Sequence, residues 1–204
     1  MPKQSLKDKT VKGVGWSSVE AILSYGVTFL VGLVLARLLS PEEYGLIGIV
    51  TIFTTVMQSV VDSGFSNALI RKNDVSDTDY STLFYFNLSI SCLMYTLLFI
   101  AAPYIAVFFE QPELLSLVRV MGLLLILQAF SIVQNTILTK RIDFKTKTKA
   151  SFISTLISGF VGIIMVFMDY GVWSLVGQHL TRQFLLSSLL WLYNPWRPNF
   201  KFSV

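Results

Sequence analysis

The chain alternates between apolar runs of about 20 residues and short polar segments. Six runs can be recognised, at about 13–36, 44–63, 80–102, 114–138, 150–168 and 172–193. A helix of about 20 residues crosses the 30 Å hydrocarbon core of a bilayer. The pattern therefore predicts an all-α membrane protein, with a six-transmembrane-helix bundle over residues 13–194 and a basic tail over residues 1–12.

The second run carries polar side chains at intervals of three and four residues, the spacing of one helix face. The residues between them are wholly apolar and fall on the other side of the helix. Inside a bundle of apolar spans, such a helix is typical of one wall of a polar cavity. This polar stripe consists of Thr51, Thr54, Thr55, Gln58, Ser59, Asp62 and Ser63.

Composition and charge agree with a membrane protein. Hydrophobic residues make up 53% of the 204 residues and charged residues 14%, against roughly 25% charged residues in soluble domains. The net charge of +4 comes from cations in short loops, which indicates membrane topology rather than nucleic-acid binding. Because most Lys and Arg lie in the N-tail, the 71–72 and 140–149 loops and the C-tail, both termini are predicted to be cytoplasmic.

The residues that usually carry chemistry are scarce. Cys92 and His179 are the only cysteine and histidine, which argues against a disulfide framework or a Cys/His metal site. No catalytic triad, glycine-rich phosphate loop or acidic metal motif is evident. We therefore predict a protein that is not an enzyme and uses no cofactor.

Arg182 is the most unusual residue, because it lies near the middle of the sixth run with Gln178 one turn before it. An arginine at mid-bilayer costs roughly 2.5 to 3.5 kcal/mol even on the mildest scale, so it normally faces protein or water. It is predicted to contact an anionic substrate, with Gln178 beside it. The alternative is a structural ion pair with Asp62 or Glu20.

Other polar residues within or beside the spans have two interpretations each. Glu20 and Asp62 are candidates for proton relay or binding of a coupling cation, or are hydrated carboxylates at the interface. Arg71 either attracts a phosphate group or only fixes topology. Asn87 in the third run, and Gln128 and Asn135 in the fourth, add amide groups on polar faces.

Local motifs predict several boundaries and contacts. Ser40 and Glu43 flank Pro41 as a capping box that begins the second helix. Pro103 is expected to end or kink the third helix. Two strips of small residues predict close helix packing, namely Gly32 with Ala36, and Ser154 with Ser158 and Gly162.

Several stretches together resemble polysaccharide exporters of the colanic and teichuronic acid type. These exporters form the oligosaccharide flippase branch of the multidrug/oligosaccharidyl-lipid/polysaccharide exporter superfamily. The resemblance covers essentially the whole chain. The stretches are Ser5-Leu6-Lys7-Asp8-Lys9-Thr10 with Gly13 and Trp16; Leu35-Ala36-Arg37-Leu38-Leu39-Ser40-Pro41-Glu42-Glu43-Tyr44-Gly45; Asp62-Ser63-Gly64-Phe65-Ser66-Asn67-Ala68-Leu69-Ile70-Arg71-Lys72; Asn87; Gln111-Pro112-Glu113-Leu114; and Arg141-Ile142-Asp143-Phe144-Lys145.

The resemblance implies alternating-access transport of a glycan carried on polyprenyl pyrophosphate across the bacterial cytoplasmic (inner) membrane. Such exporters usually have two six-helix lobes, so residues 195–204 would begin the linker to a second lobe. We expect a fragment, or a chain that pairs with another copy or another chain. Arg182 and Arg71 would then meet phosphate, while Gln178, Asn87, Gln128, Asn135 and the polar stripe (Thr51, Thr55, Gln58, Ser59) would meet sugar.

Two other functions stay open at this point, and a third, an enzyme acting on polyprenyl phosphates, is weakest because the sequence has no catalytic cluster. One is a drug/cation antiporter of the same superfamily, in which Glu20 and Asp62 bind the coupling ion. Arg182 argues against a cationic substrate, because like charges repel. The other is a non-transporting membrane scaffold for polysaccharide synthesis, in which the polar stripe packs dry against its neighbours.

Overall fold

The computed structural model describes residues 6–62, 69–70 and 75–199, with side chains described from residue 22 onward. These residues form helices and no strand. The seven helices are α1 (Leu6–Leu38), α2 (Pro41–Val61), α3 (Asp77–Phe108), α4 (Leu114–Met121), α5 (Leu123–Lys140), α6 (Phe144–Phe167) and α7 (Trp173–Tyr193).

Four helical segments of the described part are long and apolar enough to cross a membrane. They are Pro41–Val61, Asp77–Phe108, Leu114–Lys140 and Phe144–Phe167. The protein is therefore a multi-pass membrane protein. The runs at 13–36 and 172–193 also form helices, but the described apolar part of α1 is only Ile22–Leu38 and α7 is more polar. A count of six spans remains a prediction.

The capping box predicted at the start of α2 is confirmed. The backbone N–H of Glu43 donates to Oγ of Ser40 at 3.3 Å, and the N–H of Ser40 donates to Oε2 of Glu43 at 2.7 Å. Pro41 occupies the first turn, where its missing N–H costs nothing. Helix α2 therefore starts where the local sequence predicts.

Two helix boundaries differ from the predicted ones. Helix α3 does not end at Pro103 but continues to Phe108, for 32 residues or about 48 Å. Membrane helices accommodate proline when neighbours compensate the lost hydrogen bond. The run at 114–138 is divided at Gly122 into α4 and α5. A Cβ at Gly122 would lie 3.0 Å from Cδ2 of Tyr95, so glycine lets α3 approach this division closely.

Helix packing does not follow the order of the chain. Helix α6 packs most extensively against α7 and α1, while α3 packs against α5 and α4. Helix α5 also packs on α7, and α2 contacts α3, α4 and α5. One large apolar cluster joins all seven of these helices, with Leu35, Val50, Leu98, Leu117 and Val176 each at most 2% exposed.

The two strips of small residues behave differently. Ser154 and Ser158 are buried, and a Cβ at Gly162 would lie 3.2 Å from Cβ of Gln178, which confirms close packing of α6. The prediction for Gly32 and Ala36 is wrong, because Gly32 has open space beside it and Ala36 is exposed. Helix α1 approaches α6 through a different face.

The segment after α7 folds back onto the bundle. Trp196 is 9% exposed and stacks edge-to-face on Tyr80 and Phe84 of α3. Its carbonyl accepts a hydrogen bond from Nε2 of Gln134 at 3.3 Å, and the N–H of Asn199 donates to Oγ of Ser81. Residues 195–199, expected to begin a linker, thus pack against α3 and α5.

Candidate functional site

A groove of about 260 Å³ lies between α2 and α5, and six of its eight lining residues are polar. Helix α5 contributes one amide and two leucines, while the polar stripe of α2 supplies the remaining side chains. We call this the polar groove. Its lining residues are Thr54, Thr55, Gln58, Ser59, Asp62, Leu124, Leu125 and Gln128.

Helix α2 has three faces rather than the two that its sequence predicts. Val50 and Val61 are buried in the bundle, whereas Ile52 and Val56 are 64% and 58% exposed. The exposed apolar face also includes Val60 and lies beside the polar stripe. The apolar residues thus divide between the protein core and an outward face, because α2 sits at the edge of the bundle.

Most hydroxyl groups of the stripe are anchored to their own helix. The hydroxyls of Thr51 and Ser59 donate to the carbonyls of Ile47 and Thr55, at 2.7 and 2.9 Å. A serine or threonine hydroxyl that donates in this way keeps lone pairs available as acceptors. The stripe therefore presents fixed acceptor oxygens to the groove.

The amide and the carboxylate in the polar groove are joined. Nε2 of Gln58 donates to Oδ1 of Asp62 at 3.2 Å, one turn away on the same helix. Asp62 has three further acceptor sites when ionised, and Gln128 faces it across the groove with its own amide. The groove combines donors and acceptors in the way that neutral polyhydroxy compounds require.

Arg182 lies on α7 between two packed faces. Gln178, about 40° away around the helix, packs on Gly162 of α6, and Nε2 of Gln183, about 100° the other way, donates to Oγ of Ser131 on α5. Phe184, which is 58% exposed, lies on the opposite side. Arg182 therefore leaves α7 between the face that packs on α6 and the face that packs on α5. We call this the inward side of α7, and the side chain of Arg182 is exposed there.

Arg182 does not line the polar groove. Among the side chains that the structure describes, no ion pair joins Arg182 to Asp62, one of the two partners considered from the sequence. The side chain of the other, Glu20, lies outside the described residues, so that pair is not tested. Arg182 thus lies on α7, apart from the polar groove between α2 and α5.

The remaining predicted site residues are spread over the bundle. Asn87 is 2% exposed, and its Nδ2 has no hydrogen-bond partner among the described residues, so in this conformation it is buried inside the protein. Thr51 is exposed on the stripe, one turn before Thr55. Asn135 is half-buried, and its carbonyl accepts from the hydroxyl of Thr139.

Two predicted residues lie outside what the structure describes. Arg71 falls outside the described residues, and only the backbone of Glu20 is described, as part of α1. Their roles remain predictions. In the described part of the chain, no group of three or more His, Cys, Asp or Glu side chains is placed to hold a metal ion.

Sequence reasoning did not identify Leu124 and Leu125 as groove residues. Nothing in a leucine distinguishes a groove wall from a core position, and their place depends on how α5 packs on α2. The bond between Gln183 and Ser131 was also not predicted. The sequence held part of the signal, because Gln183 directly follows Arg182 in the most polar segment of α7.

The sequence of this chain is similar to that of known proteins. Residues 34–204 match the family described as polysaccharide biosynthesis protein. The chain is 30% identical to the succinoglycan biosynthesis transport protein of Rhizobium meliloti, over 96% of this chain and 40% of that protein. It is 28% identical to the teichuronic acid biosynthesis protein of Bacillus subtilis, over 98% of this chain and 42% of that protein.

A shorter match links the chain to the lipopolysaccharide biosynthesis protein of Escherichia coli, with 24% identity over 58% of this chain and 24% of that protein. No solved structure matches. The chain spans about two-fifths of the length of the first two relatives. Because the family match covers most of the chain, the protein belongs to the family of polysaccharide biosynthesis proteins.

Proposed function

We propose that the chain forms one lobe of a transporter that moves lipid-linked oligosaccharide or polysaccharide repeat units across the bacterial cytoplasmic membrane. The observation that carries this proposal is the polar groove, which brings hydroxyl, amide and carboxylate groups together between two apolar helices. Sugar hydroxyls are both donors and acceptors, so Gln58, Asp62 and Gln128 offer them complementary partners.

The relatives support a role in glycan export. One is named as a succinoglycan transport protein and another as a teichuronic acid biosynthesis protein. Since the chain covers about two-fifths of their length, the rest of such a protein, or a second chain, supplies the facing wall of the cavity. Alternating access between two lobes then exposes the groove to each side of the membrane in turn.

Arg182 is the proposed contact for the pyrophosphate of a polyprenyl carrier. Its guanidinium is exposed on the inward side of α7 and has no ion pair with Asp62. Arginine binds phosphate through two parallel N–H groups, which gives strong and oriented contacts. Asp62, with Glu20, is the proposed site for a coupling cation or proton.

Exposure of the stripe supports transport over a purely structural scaffold. A scaffold predicts that the stripe packs dry, whereas Thr55, Ser59 and Asp62 are exposed at the edge of the bundle. Hydroxyl and carboxylate groups at membrane depth are costly unless they meet water or polar partners. The groove is therefore proposed to be wet and to face the second lobe.

Cysteine accessibility tests whether water reaches the groove. In a Cys92→Ser background, Thr55→Cys and Ser59→Cys should react with a water-soluble maleimide in membranes, because only a hydrated thiol forms thiolate. Val56→Cys and Val60→Cys, on the neighbouring exposed apolar face, are matched controls that should stay unreactive. Equal labelling of all four positions would contradict a separate wet face.

Glycan export tests the role of Arg182. In a two-lobed protein that carries this lobe, Arg182→Ala should lower export about tenfold at unchanged membrane abundance, because a charge-assisted contact to phosphate is lost. Arg182→Lys keeps the charge and should recover part of the export. Export at the wild-type level in Arg182→Ala would refute the proposed contact.

A further inference from the structure

A second groove lies between α5 and α7, with a volume of about 400 Å³ and an almost wholly apolar lining. We call it the aromatic groove, since three of its six lining residues are aromatic. It shares no lining residue with the polar groove. The lining residues are Leu127, Phe130, Phe184, Ser187, Ser188 and Trp191.

The aromatic groove opens away from the inward side of the bundle. Phe184 on its wall is 58% exposed. It lies about 160° from Arg182 around α7. In a membrane, exposed apolar side chains of this size face hydrocarbon, so the groove is open to lipid chains.

A fixed cation lies at the end of the aromatic groove where α7 ends. Cζ of Arg197 is 5.3 Å from the ring centroid of Trp191. Nη1 donates to the carbonyls of Asn194 and Trp196, both at 2.8 Å, and Nη2 donates to the carbonyl of Trp191 at 3.0 Å. These bonds hold the guanidinium in place and also cap the C-terminus of α7.

The charge of Arg197 is not neutralised in the described part of the chain. Its recorded contacts are main-chain carbonyls and one aromatic ring, without a carboxylate. Trp191, Tyr193 and Trp196, all within six residues of Arg197 in the sequence, are residue types that concentrate at the level of lipid head groups. A guanidinium at this level is placed to meet a phosphate.

We infer that the aromatic groove, with Arg197 at its end, is a binding site for an anionic phospholipid. One acyl chain lies along Phe130, Phe184 and Trp191, and the phosphate meets Arg197. The wall from Phe184 to Trp191 is about 11 Å long, which fits within one leaflet of a hydrocarbon core of about 30 Å. A phospholipid acyl chain stays within that leaflet, whereas a longer polyprenyl chain extends beyond it.

Native mass spectrometry of the 204-residue chain tests the site directly. The probes are phosphatidylglycerol and phosphatidylcholine with identical acyl chains, titrated into detergent-solubilised protein. Phosphatidylglycerol should bind more tightly, and Arg197→Gln should weaken it about tenfold while leaving phosphatidylcholine almost unchanged. The matched control is Lys149→Gln, since Nζ of Lys149 lies 5.4 Å from the ring of Tyr193 at the same end of α7 but outside the groove.

A second variant tests the groove without touching the cation. Ser188→Leu places a larger side chain in the aromatic groove and should weaken both lipids equally. Phe160→Ala, in the separate apolar groove between α1 and α6, is its control and should leave both unchanged. If Arg197→Gln does not fold, the binding of both lipids to Ser188→Leu tests the groove, and unchanged binding would contradict it.

Three outcomes would overturn the assignment. One is equal binding of phosphatidylglycerol to the wild type, folded Arg197→Gln and Ser188→Leu. A second is equal binding of both lipids by the wild type. The third is displacement of phosphatidylglycerol by equimolar undecaprenyl phosphate with the same variant dependence, which would assign the groove to a carrier lipid instead.

Discussion

At the scale of single residues, glycines decide which helix faces meet. A Cβ at Gly159 would lie 2.7 Å from Cγ2 of Val31, so glycine is what allows α1 to approach α6. Valine is stiff at χ1, so its methyl cannot move aside. Gly26, on the same α1, has open space around it. The sequence shows all of these glycines, but only the packed structure shows which one is needed.

Substitution of Gly159 tests this contact. Gly159→Ala should destabilise the protein by about 1 to 3 kcal/mol, because the added methyl overpacks the α1–α6 contact. Gly26→Ala should be neutral or stabilise by up to about 1 kcal/mol, the helix propensity gained. Thermal unfolding in detergent measures both. A Gly159→Ala protein as stable as Gly26→Ala would show that the helices separate without cost.

The hydrogen bond between Gln183 and Ser131 is a second residue-scale link, since it joins α7 to α5 at 3.1 Å. Gln183→Leu should lower stability by about 0.5 to 2 kcal/mol, the range measured for interhelical hydrogen bonds in membranes. Ser188→Ala is the control, because Ser188 donates only to the carbonyl of Phe184 in its own helix. A double-mutant cycle with Ser131→Ala isolates the pair, and zero coupling would exclude the bond.

At the scale of helices, the start of α2 follows directly from local sequence. Ser40→Ala should cost about 1 kcal/mol, because the N–H of Glu43 loses its side-chain acceptor. Ser116→Ala, whose hydroxyl donates to the carbonyl of Glu113 and caps no helix end, should change stability by less than about 0.5 kcal/mol. Chemical unfolding in mixed micelles compares the two, and equal losses would contradict a capping role.

The sequence predicted which segments become helices, and it predicted the polar stripe, because both depend on periodicity along one chain. It did not predict that Ile52 and Phe53 fall in different environments, one exposed and one packed against the core. Periodicity separates polar from apolar faces, but not core from lipid, since both are apolar. The burial of Asn87 inside the bundle could not be predicted for a similar reason. A polar residue in a span indicates a polar partner, but the sequence does not say where in the bundle that partner lies.

At the scale of the whole molecule, the segment after α7 ties three helices together. Trp196→Ala should destabilise the protein by about 3 to 5 kcal/mol, because a buried ring is removed from its contacts with α3. Leu192→Ala, at a site 76% exposed, should change stability by less than about 1 kcal/mol. Near-ultraviolet circular dichroism and thermal unfolding check both. Equal effects would mean that residues 194–199 do not contribute to the fold.

The pairing of α1 with α6 also has a consequence for synthesis. Val31 and Gly159 touch in the finished protein, yet most of the chain is translated between them. At roughly 5 to 20 residues per second, the ribosome adds the intervening residues over several to a few tens of seconds. For that time the first helix has only lipid, or the insertion machinery, along the side that later holds its partner.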